Sequence, residues 1–168
     1  MPFRRRRAPA NAVDGQASAP PPDAYLTALV MLSRRELSTA QLRDRLRRRG
    51  CPDDEIEDAL VRLREQRSLD DARVARAAAH LETAIRRKGP ARVRQRLRAM
   101  GLADTLVDEA VSEAFREVDV DARLDEVLTR RLRGQSIDAL DDRTRHRLIR
   151  ALVQQGFPLD AILTRLGR

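Results

Sequence analysis

The stretch Lys88–Phe115, KGPARVRQRLRAMGLADTLVDEAVSEAF, decides the fold of this chain. Gly89-Pro90 opens a helix, because proline in a first turn gives up an N–H that would find no partner there. Val93 and Leu97 stand four apart and share one face, while Arg92, Arg94, Arg96 and Arg98 fill the remaining surface. Gly101 stops the helix, since glycine enters the left-handed conformation freely. A second helix follows, apolar at Val107, Val111 and Ala114 and acidic elsewhere.

This hairpin occurs three times. Fifty-one residues upstream, STAQLRDRLRRRGCPDDEIEDAL puts Leu42, Leu46, Gly50, Ile56 and Leu60 in the places of Val93, Leu97, Gly101, Val107 and Val111. Fifty-five residues downstream, RHRLIRALVQQGFPLDAILTRL puts Leu148, Leu152, Gly156, Ile162 and Leu166 there. A further helix precedes each hairpin, so the reading is all-α: three tandem three-helix repeats stacked as an array.

Residues 1–22 read as a Pro/Ala-rich tail carrying the basic run Arg4–Arg7, and Pro20-Pro21-Pro22 bars a helix before Asp23. Repeat one takes 23–67. Asp23 caps DAYLTALVMLSRRE, Ser38 and Gln41 form a capping box for the next helix, and Asp53-Asp54 open the third. Repeat two takes 68–118, with Val74, Ala78, Leu81 and Ile85 as the apolar stripe of its first helix. Repeat three takes 119–168. Val120, Leu124, Val127, Leu128 and Leu132 line its first helix, and Leu148, Ile149, Ala151, Leu152 and Val153 make the second apolar on more than one face, so that helix is expected to be the most buried of its kind.

With aromatics at 2%, the core must be built from Leu, Val, Ile and Ala. The formal net charge of +8 points to a polyanionic partner, although arginine stands at nearly every basic position and a genome-wide exchange of lysine for arginine explains that equally well. Cys51, the single cysteine, follows a turn glycine where the other repeats have Leu102 and Phe157, and so reads as a small buried residue. No apolar run is long enough for a membrane span and no secretory signal is evident, which fits a cytoplasmic protein.

An enzyme is not expected. There is no glycine-rich phosphate loop, no metal-spaced His/Cys cluster and no nucleophile beside a base, and no cofactor is called for. His80 has no second ligand at useful spacing. The doublets Asp53-Asp54, Asp70-Asp71 and Asp141-Asp142 all fall at helix starts, where acids complement the dipole.

Charge is distributed by helix. Residues 39–49 hold five arginines against Asp44, and residues 90–100 hold four and no acid. The helices that follow are acidic: six acids in 52–65 and five in 104–117. Arg43, Arg45 and Arg47 fall in register with Arg94, Arg96 and Arg98, where repeat three has Ile149, Ala151 and Val153. Either the arginines form a basic ridge along repeats one and two, or they pair with the acidic helix beside them. A helix after the turn that is acidic disfavours major-groove reading of duplex DNA.

Four segments resemble the RecX regulatory proteins: Leu32–Ser38 with Gln41-Leu42, Leu69–Ala75, Lys88–Leu97 and Gly156–Ile162. The resemblance covers about residues 24–166. It departs at Val74, where the family commonly has an aromatic residue, and at Arg96, where an acid is frequent. It implies a non-enzymatic, elongated and curved molecule that binds RecA–DNA filaments and restrains strand exchange, ATP hydrolysis and co-protease activity. Together with the charge pattern, it makes Arg34, Arg35, Arg73, Arg86, Arg87, Lys88, Arg92, Arg94 and Arg98 the expected contacts, in a protein expected to be monomeric. The alternative is a general nucleic-acid-binding module that puts arginines on the phosphates of single- or double-stranded DNA; a purely structural helical adaptor is a third reading.

Overall fold

The computed structural model describes residues 22–167, which contain nine α-helices and no strand. The Arg4–Arg7 run lies outside them. Module 1 comprises α1 (Ala24–Leu32), α2 (Thr39–Arg48) and α3 (Asp53–Glu65). Module 2 comprises α4 (Asp71–His80), continued by a π-turn over Leu81–Ile85, then α5 (Pro90–Arg98) and α6 (Asp104–Phe115). Module 3 comprises α7 (Val120–Leu132), α8 (Asp142–Gln154) and α9 (Leu159–Leu166), with a short 3-10 turn at Ile137–Ala139.

Each module buries its own core. Leu42, Leu46, Ile56, Leu60 and Leu63 centre the first, Val93, Leu97, Val107 and Val111 the second, and Leu124, Leu152, Ile162 and Leu166 the third. Cys51, Leu102 and Phe157, one after each turn glycine, are all buried. Capping fixes the helix starts. Asp23 accepts from the Leu26 N–H at 2.9 Å, Ser38 and Gln41 form the full capping box, and Asp141 accepts from the Thr144 N–H at 2.6 Å. The Asp70-Asp71 doublet divides its work: Asp70 caps α4, whereas Asp71 reaches module 1 and accepts from the Thr39 N–H at 2.7 Å.

Three sequence expectations change. The first helix ends at Leu32 rather than running to Glu36, because the Ser33 hydroxyl donates back to the Val30 carbonyl and the Arg34 N–H to Met31, tightening the last turn. Arg34 and Arg35 therefore lie in a turn. The Val74–Ile85 stripe holds only at its start: Ala75, Ala79, Glu82 and Thr83 are buried, while Leu81 and Ile85 are 39% and 70% exposed. The buried face runs through Ala75, Ala79 and Glu82 at ordinary helical spacing, beside Leu81 rather than over it, and a π-turn closed by the Arg86 N–H on the Leu81 carbonyl ends the helix. In α8 only Leu152 is buried and Val153 is 44% exposed, so α8 is the least buried of the three second helices rather than the most.

The two junctions share one geometry. The N-terminus of a module's second helix meets the turn of the next module's hairpin. Between modules 1 and 2, the Ser38 hydroxyl donates to the Met100 carbonyl at 2.5 Å. Between modules 2 and 3, the Gly89 N–H donates to the Gln155 carbonyl at 2.8 Å and the Ala91 N–H to the Gly156 carbonyl at 3.2 Å. Gly101 and Gly156 need their left-handed φ of 72° and 92°, and both also pack against the neighbouring module, Gly101 on Ala40 and Gly156 on Arg92. Gly50 shares the conformation, but nothing lies within 4 Å of where its side chain would be. Module 3 departs at its far end. Helix α8 begins at Asp142, three residues ahead of Arg145, the counterpart of Pro90, and exposed His146 stands where Ala40 and Ala91 stand.

Candidate partner-binding surfaces

The arginines of α2 and α5 lie against the acidic helices that follow them, and the two modules do this identically. Arg43 pairs with Glu57 at 2.6 Å and Arg94 with Asp108 at 3.3 Å, each fourteen residues on. Arg47 pairs with Asp53 at 2.7 Å and Arg98 with Asp104 at 2.8 Å, each six residues on. These bonds hold Arg43 and Arg98 above the usual guanidinium range, and hydrogen bonding from Arg43 lowers the Glu57 carboxyl. Of the two sequence readings, ridge or pairing, pairing describes these four side chains.

The nine expected contact residues divide on the same criterion. Arg73 bonds Glu36, Arg86 bonds Glu82, Arg87 bonds Glu126, and Arg94 and Arg98 bond the carboxylates just named. Among the described residues, Arg34, Arg35, Lys88 and Arg92 have no carboxylate within ion-pair distance; Arg92 instead donates to the Gln95 amide at 2.6 Å.

Glu82 is the one buried carboxylate among the described residues, at 5% exposed. Its oxygen accepts from Arg86 Nη1 at 2.7 Å, with Arg96 Nε 3.9 Å away. Burial of a charge is tolerated where partners compensate it, and two guanidiniums do so here.

Two cationic hollows on the surface hold expected contact residues. One, about 490 Å³, lies between the C-terminal ends of α1 and α2 in module 1, bordered by Arg34, Arg35, Arg45 and Arg49. The other, about 740 Å³, spans the junction of modules 2 and 3 and brings Lys88 and Arg92 together with Arg131 from α7. Arg131 also borders the adjoining hollow of Arg133 and Arg147. These module 3 arginines were missed because repeat three lacks arginines at the ridge positions. Their signal was present in the run Arg130-Arg131-Leu132-Arg133, which ends α7 with Arg133 in a left-handed turn.

Among the described residues no three His, Cys, Asp or Glu side chains gather as a metal site, and no helix is long and apolar enough to cross a membrane. His80 is exposed. Burial pushes the Cys51 thiol up, away from the reactive thiolate.

Residues 24–63 match the profile "RecX, first three-helix domain" and residues 70–111 match "RecX, second three-helix domain". Over 141 residues the chain is 40% identical to the regulatory protein RecX of Pseudomonas entomophila, covering 81% of this chain and 84% of that protein. The chain belongs to the RecX family. The regulatory protein RecX of Syntrophotalea carbinolica is 37% identical over 140 residues, 83% of this chain and 91% of the relative. A crystal structure of a regulatory protein RecX superposes with a TM-score of 0.68 at 26% identity, over 85% of this chain and 69% of that one. RecX from Lactobacillus salivarius shares the fold, with a TM-score of 0.68 at 22% identity over 85% and 92% of the two chains. The module 1 hollow falls within the first RecX domain match, whereas the larger hollow draws part of its lining from module 3, beyond both matches. RecX proteins carry the name of regulators rather than of an enzyme class.

Proposed function

We propose that this chain binds RecA–DNA filaments in the cytoplasm and restrains recombinase, ATPase and co-protease activity, so regulating DNA repair and the SOS response. Membership of the RecX family carries this reading. The cations Arg34, Arg35, Lys88 and Arg92, which have no ion-pair partner among the described residues, support it, because a long nucleoprotein filament is polyanionic and no internal ion pair has to be broken to engage it. The paired residues Arg73, Arg87, Arg94 and Arg98 can join by exchanging exposed ion pairs, which are worth little in water. Arg86 can contribute only while it stays on the buried carboxylate of Glu82. The protein acts as a monomer laid along the filament.

Titration into pre-formed RecA filaments on single-stranded DNA, following ATP hydrolysis, tests this. Inhibition well below the concentration that coats naked DNA at the same salt is the expected result, weakened by Lys88→Glu with Arg92→Glu. No inhibition at any concentration rejects the proposal.

The carboxylate-free lining of the hollow between modules 2 and 3 favours a second reading, general binding to nucleic-acid phosphates. Under that reading hydrolysis is lost only as DNA is sequestered, and affinity for single strands falls steeply with salt.

A further inference from the structure

At the repeat offset of fifty-one, Arg35 and Arg45 of module 1 are the counterparts of Arg86 and Arg96 of module 2. In module 2 that pair holds the buried carboxylate of Glu82. In module 1 the counterpart of Glu82 is Met31, and among the described residues neither Arg35 nor Arg45 has a carboxylate within ion-pair distance. The sequence offset is the same on both sides of this stretch, with Ala24 and Ala28 buried in α1 as Ala75 and Ala79 are in α4 and Leu42 buried as Val93 is. The backbone between is a tight turn in module 1 and a π-turn in module 2.

Module 1 is thus left with the hollow of about 490 Å³. Val30 and Met31 supply its apolar wall, and Arg34, Arg35, Arg45 and Arg49 surround it. Arg48 also borders it but is tied to Asp44 at 2.6 Å. Val30 is 53% exposed and Leu26, one turn earlier on α1, is 59% exposed, so an apolar strip leads along the helix to the cations.

We infer that this hollow receives an acidic side chain from a partner protein, seated between Arg35 and Arg45 as Glu82 is seated between Arg86 and Arg96, with an apolar residue of the same partner against Leu26 and Val30. Two features select an acidic, amphipathic protein segment over a nucleic-acid strand. The chain's own second module fills the equivalent place with a carboxylate, and the strip beside the arginines is aliphatic, with no aromatic side chain on which a base could stack. The inference deepens the filament reading and rests on it only for the identity of the partner.

Met31→Glu tests it by giving module 1 the residue that module 2 carries. The new carboxylate is expected to pair with Arg35 and Arg45 from within, hold or raise the melting temperature, and close the hollow to outsiders. Two probes are used: RecA filaments, and a synthetic amphipathic helix of leucine and glutamate. Both are expected to bind about tenfold or more weakly to Met31→Glu than to the wild type, as expected when a charge pair is denied its partner. Affinity for a single-stranded oligonucleotide is expected to stay within about twofold, since no phosphate contact is lost. Arg35→Ala with Arg45→Ala should lose the peptide as well, without the internal pair. Unchanged peptide and filament binding by folded Met31→Glu overturns the inference. An equal loss of oligonucleotide affinity also overturns it, by making the hollow a phosphate site. Wild-type protein that binds the peptide but ignores filaments defeats the filament reading and supports the hollow.

Discussion

The place a side chain on Gly101 would take is occupied by the Cβ of Ala40, so the turn of module 2 meets the second helix of module 1 with no side chain between them. Gly50 has the same left-handed backbone and an open surround. The two glycines separate conformational from steric cost. Gly50→Ala is expected to destabilise by about 1–2 kcal/mol, the penalty of a left-handed alanine. Gly101→Ala should add about 1–3 kcal/mol from overpacking against Ala40. Urea midpoints of the two variants give the difference, and equal values would mean the junction is looser than described.

Leu97 is fully buried at the centre of module 2. Leu97→Ala is expected to cost about 2–5 kcal/mol, the range for a buried leucine whose cavity partly collapses. Thermal melting checks it. Exposed Leu159→Ala is the control and should barely shift the midpoint.

Asp70 titrates below the ordinary aspartate range, chiefly because its carboxylate accepts the Arg73 backbone N–H. A carboxyl depressed on folding adds stability above its unfolded value, and that stability is lost as the pH falls through the lower folded value. Wild-type stability should therefore decline as the pH drops below about 4. Asp70→Asn keeps the cap and flattens that part of the curve, whereas Asp70→Ala loses about 1 kcal/mol at neutral pH. Stability curves of the three proteins from neutral to acid pH measure both effects.

The Cys51 thiol is buried, raised, and placed 3.4 Å from the Pro22 carbonyl. Folded protein should react with a thiol reagent such as dithionitrobenzoate far more slowly than unfolded protein, since attack requires exposure and a thiolate. Rapid stoichiometric labelling without denaturant would show that the α2–α3 turn opens readily.

Much of the fold was legible because its determinants are local. The turn glycines, the Ser38–Gln41 box and the Asp23, Asp70 and Asp141 caps act within a few residues of themselves, and each does what its spacing implies. The turn positions Cys51, Leu102 and Phe157 were readable as one buried site by register alone. The misreadings arose where a neighbour intervenes. Leu81 and Ile85 look like a continuing stripe, but the buried face runs through Ala75, Ala79 and Glu82 beside it, and no local pattern announces a buried carboxylate. Apolar residues of α8 look buried, but Leu152 alone is, and an apolar pattern on several faces does not say which face meets a neighbouring helix. At the candidate surface the sequence showed which arginines share a face. Which of them are already bonded depended on side-chain reach between helices: Arg94 finds Asp108, whereas Arg92 finds only an amide.

The extra residues at the start of α8 and His146 at the place of Ala40 and Ala91 make this helix start unlike those of α2 and α5. Both interior junctions seat a glycine turn against the start of a short helix, and only a small or glycine-matched surface admits it. A glycine turn brought to the start of α8 would meet an imidazole and three additional helical residues in place of a small side chain. The start of α8 therefore presents a surface that the turn geometry of the two interior junctions does not fit as it stands.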